Sequence, residues 1–564
     1  MCILHHSYAI IGFRKKEMRI YISRGNLYMK EIIKTIVSDT LEKLSINESV
    51  DFTVEIPTNK EFGDFSTNVA MLLAKELKKN PIEIAENISR EINNSAITKI
   101  EVKNPGFINF FVNKKYLIEN INNILEKGNN YGRVNIGKNS KVNVEFVSAN
   151  PTGLIHVGTA RCAAYGDSLC RLLTFAGFDV TREYYFNDGG VQIENLGKSL
   201  KVRYENICGI DTVFPEDGYH GKEIIEIAEK LFKEEKSTKL NEEIIFFSTY
   251  ARQYLMEIIK KDLKDFRVSF DVWTSEQKFR NDGAIEKSIE VLRREDNVYT
   301  KDGATWLKST RYGDDKDRVL IKSDGNYTYV VPDIAYHLDK INRGYDKIID
   351  VLGSDHHGYI SRLKASVEAL GFDSEKIRIK LLQMVKLLRN GEEIKMSKRT
   401  GLTVTMRELM DEVGVNASRY FLASRSIDSQ MDFDIELAKK KSNDNPVYYV
   451  SYAYARICTI LSENKQTAKI EKYETLNNDM VYNILEKIYL FPEVVLEAAT
   501  KELPHLITNY VYELANIFHT FYEKYRIITE NEEKTTENLN LIKAVKITLE
   551  NALNLIGVVP PERM

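Results

Sequence analysis

Cysteine is scarce: five residues in 564, at Cys2, Cys162, Cys170, Cys208 and Cys458. They form no Cys-x-x-Cys pair and have no histidine at zinc-finger spacing. A disulfide scaffold is excluded, structural zinc is not expected, and a reducing, cytoplasmic compartment is. Cys162 and Cys170 read as small apolar residues on a helix. Neither sign of charge dominates, since 79 Lys and Arg stand against 82 Asp and Glu for a net charge of -3. That excludes a general polyelectrolyte binder, so a nucleic-acid partner would be held by local basic patches on a near-neutral body. No apolar run approaches the roughly 18 residues of a membrane helix. There is no internal repeat and no low-complexity tract. What remains, 43% hydrophobic and 29% charged residues, is an ordinary globular mixture long enough for several domains.

The first 28 residues lack helical periodicity, and their apolar piece Tyr8 to Phe13 is too short for a secretory signal. Met29 opens an amphipathic helix with Ile32, Ile33, Ile36, Val37, Leu41 and Leu44 on one side, so residues 1–28 are expected to be a non-native extension. An α+β unit follows to about Phe111, with Asn104-Pro105-Gly106 as a turn, and the Gly/Asn-rich stretch 128–140 reads as a linker. Lys141 to Ser148 alternates as a strand, His156 to Phe175 reads as a helix closed by Gly177, and Phe178 to Tyr185 as a second strand. This is a nucleotide-binding pattern. A charged helical insertion spans about 221–264, and from about Asn445 the chain reads as helical.

Two constellations carry chemistry. In Ser148-Ala149-Asn150-Pro151-Thr152-Gly153-Leu154-Ile155-His156-Val157-Gly158-Thr159 a strand ends, a loop of small residues turns and a helix starts. The N–H groups and partial positive charge of a helix start suit a polyphosphate, and His156 can donate to phosphate without a permanent charge. Gly153 and Gly158 leave room for a nucleobase or a phosphate. The second constellation, Lys395-Met396-Ser397-Lys398-Arg399-Thr400-Gly401, follows an expected hairpin turn at Asn390-Gly391. Three cations on a short loop suit a triphosphate in transit to pyrophosphate.

Together these stretches resemble the HIGH and KMSKS signatures of class I aminoacyl-tRNA synthetases. Val144 to Gly153, Tyr184 to Asp188, Tyr329 to His337, Gly353 to Gly358, Asn443 to Val450 and the terminal Pro560-Pro561-Glu562-Arg563-Met564 extend the resemblance to the arginyl-tRNA synthetase family. The resemblance implies a multidomain α/β protein: a Rossmann-like class I catalytic domain over 114–440 with a helical insertion and the KMSK loop. An N-terminal α+β domain over 29–113 would bind the tRNA elbow, and an all-α domain over 441–564 the anticodon. It implies an ATP-dependent ligase for L-arginine and tRNA(Arg), acting as a cytoplasmic monomer with no membrane contact. Mg²⁺ would ride on the ATP, with no protein-bound structural metal.

The resemblance also assigns residues. His156, Lys395 and Lys398 are the expected catalytic groups. Gly153, His156, Gly158, Thr159, His356, Met396, Ser397 and Lys398 are expected around ATP. Glu145, Ser148, Asn150, Tyr329, Asp333, Asp355 and Gln192 are expected around arginine, with Glu145 and Asn150 on its α-amino group and backbone. The residue chemistry agrees: a planar cation needs an acidic acceptor with fork geometry, and Tyr329 and Asp333 lie four apart, on one face if a helix starts there. Asp355, His356 and His357 also admit a metal reading, but no third ligand stands at a convincing spacing, which favours nucleotide or substrate contact. One departure is Thr159, where the family usually has His or Asn; a hydroxyl reaches less far.

Anticodon binding is harder to read. From Asn445 onward there are 12 Lys and Arg against 16 Asp and Glu, so bulk attraction cannot drive it. Two aromatic strips could stack on splayed bases. One holds Tyr448, Tyr449, Tyr452, Tyr454 and Arg456; the other holds Tyr510, Phe518, His519, Phe521, Tyr522 and Tyr525, and most of these are expected to pack helices. The rival readings are another adenylate-forming class I enzyme and a catalytically silent RNA-binding paralogue.

Overall fold

A computed structural model describes residues 29–46, 50–57, 59–354, 358–394, 404–464 and 470–564. The reading of residues 1–28 as an extension lies outside the described residues. The chain gathers into two bodies.

The first takes the described residues of Met1–Gly128 with Gln466–Glu493 and Tyr525–Ala544. Helix α1 (Met29–Lys43) buries Met29, Ile32, Ile33, Val37 and Leu41, the stripe its spacing predicts. An antiparallel sheet runs in the order β1-β2-β4-β3, with β1 Val54–Glu55, β2 Phe65–Thr67, β3 Ile97–Lys103 and β4 Phe107–Val112. Helices α2 (Val69–Leu77) and α3 (Pro81–Glu91) pack on it, and α4 (Lys114–Lys127) follows. The stretch from Phe62 to Asn68 is fixed by close packing and a hydrogen bond. A side chain on Gly63 would start 2.7 Å from the Phe110 carbonyl oxygen, and Asp64 accepts from the Val112 N–H at 2.7 Å. Helix Asp479–Tyr489 joins this body, with the Lys114 ammonium 4.1 Å from the centre of the Tyr482 ring.

The second body holds a five-stranded parallel sheet in the order β12-β11-β5-β6-β7. Strand β5 is Lys141–Glu145, β6 Asp179–Phe186, β7 Val272–Ser275, β11 Lys347–Gly353 and β12 Ile377–Leu382. Helix α5 (Val157–Phe175) connects β5 to β6. Gly166 lets it approach closely, because a Cβ there would lie 2.2 Å from the Phe146 ring. Strand β5 stops three residues earlier than the apolar alternation predicts, since Val147 and Ser148 take positive φ of 71° and 39°. The turn is held by the Val147 N–H on the Cys162 sulfur at 3.2 Å and by the Ser148 side chain described below.

The stretch 128–140 is not a free linker. Tyr131 and Val134 are buried, Gly137 N–H donates to the Ala176 carbonyl at 3.0 Å, and Asn139 N–H donates to that of Gly177 at 2.8 Å. The cause is the tight turn between α5 and β6, whose exposed carbonyls need donors. The insertion is three helices, α6 (Gly190–Ile207), α7 (Lys222–Glu235) and α8 (Ile244–Asp265), around their own core of Leu196, Leu200, Ile224, Ile227, Leu231 and Phe247. Helix α9 (Glu276–Asn281), α10 (Ala284–Arg294) and a small sheet of β8 Val298–Lys301, β9 Ala304–Leu307 and β10 Arg318–Ile321 lead into α11 (Val330–Asn342). After β11 comes α12 (Tyr359–Ala369).

The predicted hairpin is β13 (Val385–Arg389) and β14 (Glu392–Glu393), and Asn390 and Gly391 turn it with φ of 53° and 81°. Beyond it, helices α13 (Met406–Val413), α14 (Val415–Ala423), α15 (Pro446–Glu463) and α16 (His505–Lys524) also belong to this body. The chain end is tied in by Arg419, which is fully buried. It donates to the carbonyls of Ile556 and Phe266, both at 2.9 Å, and pairs with Asp167 at 2.5 Å.

Candidate active site

Strands β5 and β11 lie side by side, and the chain leaves β5 in one direction for β6 and β7 before returning to β11 on the other flank. The crevice beyond their carboxyl ends is where an open parallel sheet receives a ligand. Glu145 ends β5, and Asp350, its register partner, lies near the end of β11.

The loop after β5 is pinned from below. Ser148 donates to Glu145 Oε1 at 2.8 Å and accepts from the Tyr185 N–H at 3.1 Å. Asn150 accepts from the Asn187 N–H at 3.1 Å and donates to Gln192 at 3.0 Å, so two expected arginine-site residues touch each other. Gly153 is open; a Cβ there would meet only Glu223, at 3.5 Å.

His156 caps α5, its Nδ1 accepting from the Thr159 N–H at 3.4 Å. An accepting Nδ1 leaves the proton of a neutral ring on Nε2, which lies 3.2 Å from the Thr159 hydroxyl. Thr159 therefore steadies the histidine and its tautomer, a use the sequence did not suggest. Gly158 lies beneath that ring, and a Cβ there would press on it at 3.0 Å. Lys395, Met396, Ser397 and Lys398 lie outside the described residues, as do Asp355, His356 and His357. The chain re-enters beside His156, however. Val157 N–H donates to the Val404 carbonyl at 3.1 Å, Met406 N–H to that of Ile155 at 2.7 Å, and His156 bridges Thr405. The residues that follow the second signature are thus tied to the first by backbone hydrogen bonds.

Helix α11 starts just after Tyr329. Tyr329 is 70% exposed, and its hydroxyl accepts from Arg362 at 2.9 Å. Asp333, one turn on, takes its phenol from Tyr359 instead. Burial pushes the Asp333 carboxyl up to about 7; Glu276 and Glu145 add to this, and His337 and the Tyr359 hydroxyl pull the other way. Below it, Lys340 is fully buried with its ammonium 2.5 Å from Glu145 and 2.7 Å from Asp350. Burial opposes that charge, but Asp350, Glu145 and Glu183 outweigh it and hold Lys340 above the usual lysine range.

Tyr359, Glu276, His337 and Lys340 were not among the expected site residues. A signal for two of them exists: Asp333, His337 and Lys340 stand at i, i+4 and i+7, a line of ionisable residues along one side of the helix. Among the described residues no group of three or more His, Cys, Asp or Glu side chains is set to hold a metal, and no helix is long and apolar enough to cross a membrane.

On α15 and α16 the two aromatic strips face each other. Tyr454, Tyr510, Phe518 and Phe521 are buried. Nearer the surface, Tyr448 stacks on Tyr452 at 6.1 Å, and the Arg456 guanidinium lies 4.3 Å from the ring centres of both Tyr452 and Tyr522. His519 packs 4.3 Å from Tyr449.

Comparison with known proteins decides the family. The family description "tRNA synthetases class I (R), catalytic domain" matches residues 120–440. "Arginyl tRNA synthetase N terminal domain" matches 31–112 and "DALR anticodon binding domain" matches 450–564. The Arginine–tRNA ligase of Bacillus subtilis (strain 168) is 49% identical over 551 residues, covering 95% of this chain and 99% of the relative. The chain belongs to the arginyl-tRNA synthetase family. A second arginine–tRNA ligase, from Geobacillus kaustophilus (strain HTA426), is 50% identical over 532 residues, 92% of this chain and 96% of the relative. The solved Thermus thermophilus arginyl-tRNA synthetase shares the fold, with a TM-score of 0.77 at 20% identity over 95% of this chain and 100% of that one. As an arginyl-tRNA synthetase family member, the chain has its class I catalytic match over the parallel sheet and the crevice described above.

Proposed function

We infer that this chain joins L-arginine to the 3′ end of tRNA(Arg) in two ATP-driven steps. An oxygen of the arginine carboxylate attacks the α-phosphorus of ATP, and pyrophosphate leaves. The terminal ribose hydroxyl of the tRNA then attacks the acyl carbon, and AMP leaves. One observation carries the amino-acid assignment. Asp333 faces an acidic crevice with a carboxyl pushed up to about 7, and among the described residues no lysine or arginine pairs with it. A half-buried carboxylate without a lysine or arginine partner, beside a tyrosine hydroxyl, suits a guanidinium.

In this reading Asp333, with Tyr329 above it, receives the guanidinium. Glu145, Ser148, Asn150 and Gln192 hold the amino acid's other end, and Asp355 completes that site. Neither step needs a protein nucleophile. His156, the start of α5, Lys395 and Lys398 stabilise charge on the phosphates, with Gly153, Gly158, Thr159, His356, Met396 and Ser397 around the nucleotide. Mg²⁺ accompanies ATP and neutralises phosphate charge. Steadied by Thr159, His156 presents its ring over Gly158, where a phosphate oxygen could lie. The Tyr448, Tyr452, Arg456 and Tyr522 ladder offers stacking faces to anticodon bases, and residues 29–113 are assigned the tRNA elbow. Free, buried Cys162 and Cys170 accord with a cytoplasmic enzyme, here taken as a monomer.

The test is ATP–pyrophosphate exchange across the amino acids, with and without tRNA(Arg). Exchange is expected with arginine alone among them, and only when tRNA is present. Exchange driven by another amino acid would overturn the assignment, and silence under every condition would favour a non-catalytic paralogue.

A further inference from the structure

The carboxylates around the crevice are not equivalent, because nearly all of them have a cation of their own. Glu183 is paired with Arg343 at 2.8 Å and Glu276 with Arg280 at 2.7 Å. Glu145 and Asp350 share Lys340. Asp350 also meets His337 Nε2 at 2.9 Å, while His337 Nδ1 lies 2.8 Å from the Asp333 backbone carbonyl. The His337 ring thus spans the Asp333 carbonyl and the Asp350 carboxylate. One buried ammonium, Lys340, therefore bridges Glu145 and Asp350 in the layer beneath the crevice, with the His337 ring beside Asp350. Among the described residues Asp333 has no lysine or arginine partner of this kind.

We propose that Lys340 is a positioning residue for amino-acid specificity: bridging Glu145 and Asp350, it supplies their internal counter-charge and leaves Asp333, among the described residues, as the crevice carboxylate without a lysine or arginine partner. The pocket then matches a side chain bearing a single positive charge, and Glu145 is held in one orientation beneath it by Lys340 and Ser148. The side chain is placed for this. Its ammonium is enclosed between β5 and β11 and lies 4.3 Å from the centre of the Tyr336 ring, so it cannot itself reach solvent or substrate. The inference rests on the reading that Asp333 receives the guanidinium.

The groups facing Asp333 among the described residues are His337 on its own helix, Glu145 on β5, Glu276 on α9, Tyr185 on β6 and Tyr359 on α12. Those facing Lys340 are Glu145, Asp350 and Glu183. The pH at which arginine binding gains strength therefore reports the balance between the two sets.

The experiment measures the pH dependence of the arginine KM in tRNA-supported exchange by the full-length enzyme. In the wild type the KM should rise as pH falls through about 7, where Asp333 takes up its proton. The double variant K340M/D350N removes one cation and one anion together. With the Glu145 charge no longer offset by Lys340, the proton on Asp333 is held more firmly. The break should move up by about one pH unit or more, raising the arginine KM at pH 7 about fivefold or more. The ATP KM and the kcat should stay within about twofold. The single variant D350N, which turns all of the Lys340 charge toward Glu145 and the pocket, should move the break down.

Shifts of opposite sign are not what a merely structural lysine would give. Breaks that stay near 7 in both variants, or losses falling on kcat and the ATP KM alike, would overturn the proposal. If K340M/D350N does not fold, the downward shift in D350N still decides. A wild type that exchanges with another amino acid, or shows no break, would instead contradict the reading of Asp333.

Discussion

Asp333→Asn is expected to raise the arginine KM by about a hundredfold. The amide keeps the volume and can still accept from the Tyr359 hydroxyl, so folding should survive. It loses the charge and turns one hydrogen-bond acceptor into a donor that faces the guanidinium N–H groups. A charge-assisted hydrogen bond contributes about 1.5–3 kcal/mol, and losing one or two of them corresponds to a factor of about 10² in affinity. The kcat and the ATP KM should change little, because the interaction is made alike in the ground and transition states.

Two further signatures separate this from a general disturbance. The variant should lose the rise in arginine KM below pH 7, since the titrating group is gone. Its stability should also differ in a fixed direction. The folded-state pKa of Asp333 lies above its unfolded value, so the native state binds the extra proton between about pH 4 and 7, and wild-type stability falls as pH rises through that window. Asn does not titrate. At pH 8 without arginine the variant should therefore melt above the wild type, and arginine should narrow the gap. Thermal denaturation with and without arginine measures it; a variant that melts below the wild type at that pH would contradict the assignment.

The second large effect is expected at His156→Ala, where arginine-dependent exchange should slow by about 10²–10³-fold. That is the usual cost of removing one donor from charge developing in the transition state. The arginine KM should stay near the wild-type value, because the histidine lies on α5 and Asp333 on α11. A smaller effect accompanies it: the helix loses its cap, worth about 1 kcal/mol, and Thr159 loses its partner. A modestly lower melting temperature is thus expected, and single-turnover kinetics at saturating ATP separates it from the chemical defect. A loss mainly in arginine KM, with kcat intact, would remove His156 from the phosphate site.

Much of the fold was legible because its signals are local. The strand–loop–helix–strand unit, the Asn390-Gly391 hairpin and the helical insertion follow from alternation, turn chemistry and helical period. The end of β5 was misread because Val147 and Ser148 continue the apolar alternation, while the left-handed turn depends on Cys162 and Tyr185, which are distant in sequence. The supposed linker at 128–140 failed for the same reason: its Gly and Asn content says turn, and only the carbonyls of Ala176 and Gly177 make that turn packed.

The candidate site divides along the same line. Motif residues such as His156 and Asp333 could be named from their neighbours in the chain. Tyr359 and Glu276 come from other elements, and nothing in their local sequence marks them as facing Asp333. Lys340 is an intermediate case, visible only if the line of Asp333 and His337 is continued along the helix and a lysine on its buried face is taken as a counter-ion.

A crystal structure of the enzyme with arginine tests the central claim most directly. The account predicts the guanidinium within hydrogen-bonding distance of both Asp333 carboxylate oxygens, with Lys340 still bridging Glu145 and Asp350. A guanidinium bound to another acidic group, with Asp333 left to Tyr359 alone, would contradict it.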